Sequence, residues 1–433
     1  MKTHVASISE LALSRRAFLG GTLGATALGA LTLAGCAPGG SSPAATGGAG
    51  TGTVDFTSFV FAQDSAGPLR DTVSAFTKDT GVKVAEVAIP YQQYLDQIVL
   101  KARGGNVSGI AHIDEEWLST LATAGVLKDL SSQFQADLYP DRVALSGVLD
   151  KTRYALPWTQ SAIGVVGNSG LLDGFGVDMS AVRTTDQFAD ALRKIKSQDS
   201  SIVPYAPCTS VQQLKDIIPW ILVFGGTIYD GSEVTLGDRG SVEAVEYWKM
   251  LLDEGLIQPG MIREDARKLF AQQRTPLYDD APQTIGIIPG QSNDPDIASK
   301  MHPVARPTGG GDTANLLWSQ PLVAFDDTTD TGELLTYLST DESSLQTMFE
   351  ATGQPPTTKE ALDSDWFAAN AFNSEWNGTV ASGAVTNPLW TFPSASAAQT
   401  VFNEAIEPAL AGTVSVKDGL AQAKAGLEEL LNG

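Results

Sequence analysis

Cysteine and histidine are scarce in this chain. Its 433 residues include two cysteines, Cys36 and Cys208, so no disulfide framework is implied. Of three histidines, only His112 and His302 follow Cys36. There is no H-E-x-x-H, no G-x-S-x-G and no Cys/His cluster, which leaves zinc and serine–histidine chemistry little support. A carboxylate-pair glycosidase stays open, because acidic pairs keep no fixed spacing in sequence. Positive charge is short as well. The 28 Lys and Arg face 50 Asp and Glu, and the net charge of −22 argues against nucleic acid as a partner. After the first residues no stretch offers the roughly 20 continuous apolar residues of a membrane-spanning helix. Neither a metal nor a cofactor is expected.

What is present begins with an address. Ser14-Arg15-Arg16-Ala17-Phe18-Leu19 opens an uncharged, weakly apolar run that Leu33-Ala34-Gly35-Cys36 closes. A basic start, an apolar middle and a small-residue end make an export signal. Gly20, Gly21, Gly24 and Gly29 dilute the run too far for a transmembrane helix. The stretch resembles a twin-arginine signal ending in a bacterial lipobox. That resemblance implies residues 1–36 as signal, with Cys36 acylated and left as the mature N-terminus. Residues 37–53 hold no bulky apolar cluster and read as a flexible tether.

From Val54 the pattern is that of a globular α/β protein, and its length calls for two lobes. Val54–Ala62 reads as a strand, Pro68 opens a helix stopped by Gly81, and Val82–Ile89 is a second strand. Tyr91–Arg103 is a helix and Ile110–Ile113 a third strand. This alternation predicts a mostly parallel sheet covered by helices. Tyr154 to Asn168, with Pro157 and Trp158, is the expected first crossing between lobes. Beyond it Thr184 and Gln187 form a capping-box pattern. Ser210–Phe224 reads as an apolar helix kinked by Pro219, Ser241–Glu254 as an amphipathic helix and Thr284–Ile288 as a strand. Leu316–Phe325 reads as a second crossing, and helices over 401–410 and 416–431 close the chain.

Several ordered segments then resemble the extracellular solute-binding proteins of bacterial ABC importers, in the branch that includes maltose-binding protein. Asp114–Leu130 is similar to the family's acidic-aromatic loop and helix, and Ala155–Asn168 to its proline-led crossing strand. Trp220–Asp230 is similar to "W-x-x-x-x-G-G-x-x-x-D", Phe270–Gln283 to "F-x-x-G-x-A-x-M" and Thr352–Pro356 to "x-G-x-x-P". The resemblance implies an α/β, two-lobed periplasmic-binding-protein-like fold of type II, with lobes joined by crossing hinge strands. The lobes would be 54–160 plus 319–353, and 161–318 plus 354–433. It implies a monomer on the outer face of the cytoplasmic membrane, anchored by lipid on Cys36. Such a protein captures a solute without catalysis and hands it to the transmembrane subunits of an ABC permease. One departure concerns the ligand: Gln283 stands where sugar-binding members often carry an aromatic.

A carbohydrate needs flat rings for its C–H faces and planar polar groups for its hydroxyls. Trp158, Trp220 and Trp318 lie at crossings or element ends, where they are either ligand platforms or core. Trp390 and Tyr278 are further ring candidates, while Trp248 sits on a core stripe. Gln63 and Asp64 follow the first strand, and Asp114, Glu115 and Glu116 follow the third; they are either ligand contacts or helix caps. Gln160, Gln320 and Gln354 stand beside hinge prolines, and Gly225 and Gly226 complete the set. A non-sugar solute such as a peptide or polyamine would use the same scaffold.

Overall fold

In the first lobe the sequence alternation is realised directly. The computed structural model describes residues 52–63, 66–149 and 151–432; Arg15, Arg16, Cys36 and Asp64 lie outside them. Strands β1 (Thr53–Ser58), β2 (Lys83–Ala88) and β3 (Ile110–His112) pair in parallel in the order β2-β1-β3. The helix Gly67–Thr80 carries Pro68 in its first turn, where a missing N–H costs nothing. It buries Leu69, Val73 and Phe76 and stops at Gly81, whose φ of 80° suits a residue without Cβ. Beneath the sheet one apolar core gathers Phe56, Phe76, Ile110, Leu121, Trp158, Leu322 and Leu334.

Below a short hairpin of β4 (Val148–Leu149) and β5 (Thr152–Arg153) runs the long crossing strand β6 (Ala155–Asn168). In the second lobe, β7 (Leu277–Asp280) and β8 (Met301–Val304) flank its far end. The return crossing β9 (Asn315–Ala324) pairs antiparallel with β6 over Ala155 to Ile163 and with β3 in the first lobe. A two-residue β10 (Ala384–Val385) joins β9, and the eight strands form one continuous sheet. The sheet is thus mixed rather than mostly parallel, because β6 runs antiparallel to β7, β8 and β9, and β9 also runs antiparallel to β3. Register slips between Leu156 and Thr159, around Pro157, which has no N–H to offer the ladder. A third segment fills that gap: Thr159 bridges Pro356, Gln160 N–H donates to the Pro355 carbonyl at 3.3 Å, and Thr357 Oγ1 reaches the Pro157 carbonyl.

The second lobe has its own cores, around Phe188, Leu192, Ile217, Trp220, Trp248 and Phe402, and around Phe270, Tyr278 and Trp376. The helix Thr185–Gln198 begins with the Thr184/Gln187 capping box. Two expectations fail here. Ser210–Phe224 is not one kinked helix. A 3₁₀ turn, Leu214–Ile217, leads into a short helix, Ile218–Val223, and Pro219 sits in its first turn instead of breaking an interior. Thr284–Ile288 is not a strand, since Leu277–Asp280 already occupies the β6 edge; Thr284–Ile287 makes one helical turn beyond Pro282. Arg239–Asp253, Ala395–Leu410 and Val416–Asn432 are long helices packed together, the second starting earlier than the expected 401.

Candidate functional site

A cleft of about 1600 Å³ opens where the two lobes face each other across β6 and β9. Its floor comes from the crossings: Ile163 on β6, Trp318 and Gln320 on β9, and Gln354 in the third segment. The strand period of two explains Trp318 and Gln320, which point to one side of β9 and the cleft. The first lobe adds Phe59, Gln63, Tyr91, His112 and Glu116 from the ends of β1, β2 and β3. The second lobe adds Lys215, Arg263, Arg267, Asp280, Gln283 and Trp390. Trp366, packed against Phe349, also lines the cleft.

The first-lobe wall is a layer of rings backed by a hydrogen-bonded chain. Tyr91 is 40% exposed and packs edge-on to Phe59 at 5.1 Å and against Trp117 at 5.3 Å. Its hydroxyl donates a short bond to Asp114. Gln320 Nε2 donates to the other Asp114 oxygen at 2.8 Å, and Gln320 Oε1 faces His112 Nε2 at 3.2 Å. An amide oxygen only accepts, so His112 carries its proton on Nε2. Its Nδ1 then accepts from the Ser58 hydroxyl at 3.1 Å, and Ser58 Oγ accepts the Val60 N–H. The chain ties β1, β3 and β9 to the cleft surface and fixes which way the Gln320 amide points.

Burial sets the charges of this chain. It raises Asp114 to about 6, helped by Glu116 and opposed by the bonds from Tyr91 and Gln320. It lowers His112 to about 3, so the ring is neutral. It also raises Glu115, against a short bond from the Ser319 hydroxyl. Burial works against the Lys215 ammonium, but the Glu116 and Asp114 carboxylates outweigh it and lift its pKa.

Of the residues singled out in the sequence, Gln63, Glu116, Trp318, Gln320, Gln354 and Trp390 line the cleft together. Asp114 lies one layer behind, 4% exposed and bonded to Tyr91 and Gln320. Glu115 turns to Ser319 on β9. The rest need correction. Trp158 is fully buried in the first-lobe core, 4.8 Å from His112 and 6.3 Å from Phe56, because alternation along β6 sends it inward. Trp220 is fully buried between Phe188 and Tyr247, with the Arg306 guanidinium 5.2 Å from its ring. Tyr278 is buried against Phe270 and bonds Thr284. Gly225 and Gly226 make a helix end, not a ligand surface: a Cβ on Gly226 would sit 2.5 Å from Ser241 N. Gln160 binds Pro355 through its backbone and does not line the cleft. Cys208 is a small buried residue, 1% exposed, its thiol facing Gln213.

Tyr91, Lys215, Arg263 and Arg267 escaped the sequence reading. Arg263 and Arg267 stand one turn apart on the helix Arg263–Ala271, a spacing that most often marks a solvated face. Here that face is the cleft wall, since Asp216 and Asp280 lie beneath it and draw both guanidiniums down.

The family profile of bacterial extracellular solute-binding proteins matches residues 71–373, and the chain belongs to that family. A binding protein of Brucella abortus (strain 2308) is 24% identical over 246 residues, 50% of this chain and 58% of the relative's length. The galactooligosaccharide-binding protein of Bacillus subtilis (strain 168) is 21% identical over 84% of this chain and 88% of its own. The fold is similar to that of maltose-bound MalE3 of T. maritima, with a TM-score of 0.75 and 19% identity over 88% of this chain and 100% of that one. The two-lobed architecture is therefore that of the maltose-binding-protein-like proteins.

Proposed function

We propose that the cleft binds a carbohydrate, mono- or oligosaccharide, without changing it. The observation that carries this reading is the pairing of rings with amides around one cavity. Tyr91, Trp318 and Trp390 offer apolar faces, and Gln63, Gln354 and Gln283 offer groups that both give and accept hydrogen bonds. The names of the relatives above, one for galactooligosaccharide and one solved with maltose, support it. Arg15-Arg16 and the Leu33–Cys36 motif support export and a lipid anchor on Cys36 at the outer face of the cytoplasmic membrane. The lobes, 54–160 with 319–353 and 161–318 with 354–433, then close on the solute, and a monomer delivers it to an ABC permease. Thermal shift against a glycan panel, followed by product analysis of the same mixtures, tests this. Binding without products is expected. A panel that never moves the melting temperature removes the carbohydrate reading, and products would make the protein a hydrolase.

A further inference from the structure

We propose that the cleft selects neutral oligosaccharides and rejects their uronate-bearing counterparts, because the cations lining it are already held by carboxylates. The proposal rests on the carbohydrate reading above and names the class of sugar.

Three cationic side chains line the cleft among the described residues, and each has an acidic partner. Lys215 Nζ lies 3.6 Å from Glu116 Oε2, a contact that crosses from the second lobe to the first, and 5.6 Å from the centre of the Trp390 ring. Arg263 Nη2 is 2.6 Å from Asp216 Oδ1, and its Nη1 donates to the Asp279 carbonyl. Arg267 grips both oxygens of Asp280 through Nε and Nη2, at 2.7 and 2.9 Å, which leaves its Nη1 amino group outside the pair. Around these pairs stand Glu264, Glu350 and Glu404, all exposed on the rim. An incoming carboxylate would therefore meet excess negative charge and no uncommitted cation.

A hydroxyl fares differently. It donates and accepts at once, so a guanidinium and a carboxylate side by side can both be satisfied by one OH group. A carboxylate only accepts, and would leave Asp280 or Glu116 facing it. The clamp also fixes the orientation of Arg267, so its remaining N–H groups are presented without first being ordered. The volume of about 1600 Å³ exceeds the roughly 300–1,000 Å³ usual for one drug-sized ligand, which favours several sugar units over one.

The test uses isothermal titration of the protein with neutral tetrasaccharides of the malto-, cello- and galacto- series and with their uronate counterparts, such as tetragalacturonate. A neutral member should bind, and its uronate counterpart should bind weaker by roughly ten-fold or more. Glu116→Gln, which frees a Lys215 that is 24% exposed, should narrow that gap. A uronate that binds as well as its neutral parent, or a gap that Glu116→Gln leaves unchanged, overturns the proposal. If neither series binds, the carbohydrate reading itself falls, a result distinct from a uronate that binds.

Discussion

Asp114 and His112 belong to one hydrogen-bonded chain but answer acid in opposite senses. Burial lowers His112 to about 3, so between its ordinary 6.5 and that value only the unfolded chain takes the proton. Stability that is full above pH 6.5 is lost as the pH falls. Burial raises Asp114 from 3.8 to about 6, so in that interval the folded chain holds the extra proton. Its contribution is full below pH 3.8 and lost as the pH rises through 6. The two effects oppose each other across the same window. Asp114→Asn should leave the histidine effect unopposed, and urea unfolding from pH 6.5 to about 4 should show a loss steeper than wild type by on the order of 2 kcal/mol. An unchanged slope would mean the two groups are not buried as described. The tryptophans divide in a similar way. Trp158→Ala, in the core, should cost roughly 3–5 kcal/mol of stability. Trp318→Ala, on the cleft floor, should keep the melting temperature and weaken glycan binding by about 2 kcal/mol, near thirty-fold. Equal loss of stability in both variants would return Trp318 to the core.

Among elements, the close pairing of Gly226 and Gly240 is a tight constraint. A Cβ on Gly240 would come within 2.2 Å of Gly226 N, so the chain after Ile218–Val223 can touch the start of Arg239–Asp253 only through two glycines. Gly240→Ala should destabilise by about 1–3 kcal/mol, read by denaturant unfolding, with ligand affinity per folded molecule unchanged. Gly226 also shows where sequence reading stopped. The W-x-x-x-x-G-G motif was visible, but motif position alone cannot tell a backbone approach from a ligand surface. Strands β1, β2, β6 and β9 were legible because alternation and proline placement are local signals. The direction of β9 and the edge partner of β6 are set by pairing across hundreds of residues, which no local window contains. Trp318 was legible from its place on a crossing and Gln320 from its hinge proline, both local signals, whereas Arg263 and Arg267 look like ordinary surface charges until Asp216 and Asp280 are seen beneath them.

For the whole molecule, β6 and β9 cross between the lobes as hydrogen-bonded neighbours and the Pro355–Thr357 segment is bonded to β6 beside them, so relative motion must twist or bend a ribbon. Ligand that touches both walls favours the closed arrangement by its difference in affinity between the two states. Small-angle scattering with a saturating glycan should therefore give a smaller radius of gyration than without it. An unchanged radius would remove closure. The pairing of Ile110 with Ala324 has a further consequence, in the order of events during synthesis. The first lobe is begun at residue 53 but lacks its fourth strand until β9 has been made, after more than a hundred residues of the second lobe. Its core also waits for Leu334, Leu338 and Leu345. A ribosome that has just produced β3 has made a half-sheet with an open edge and uncovered side chains. Loop closure over that separation is slow, and unpaired edges invite association. The first-lobe sheet and core are complete only once the return strand and the helices after it have emerged, so residues 53–160 alone do not make a finished lobe.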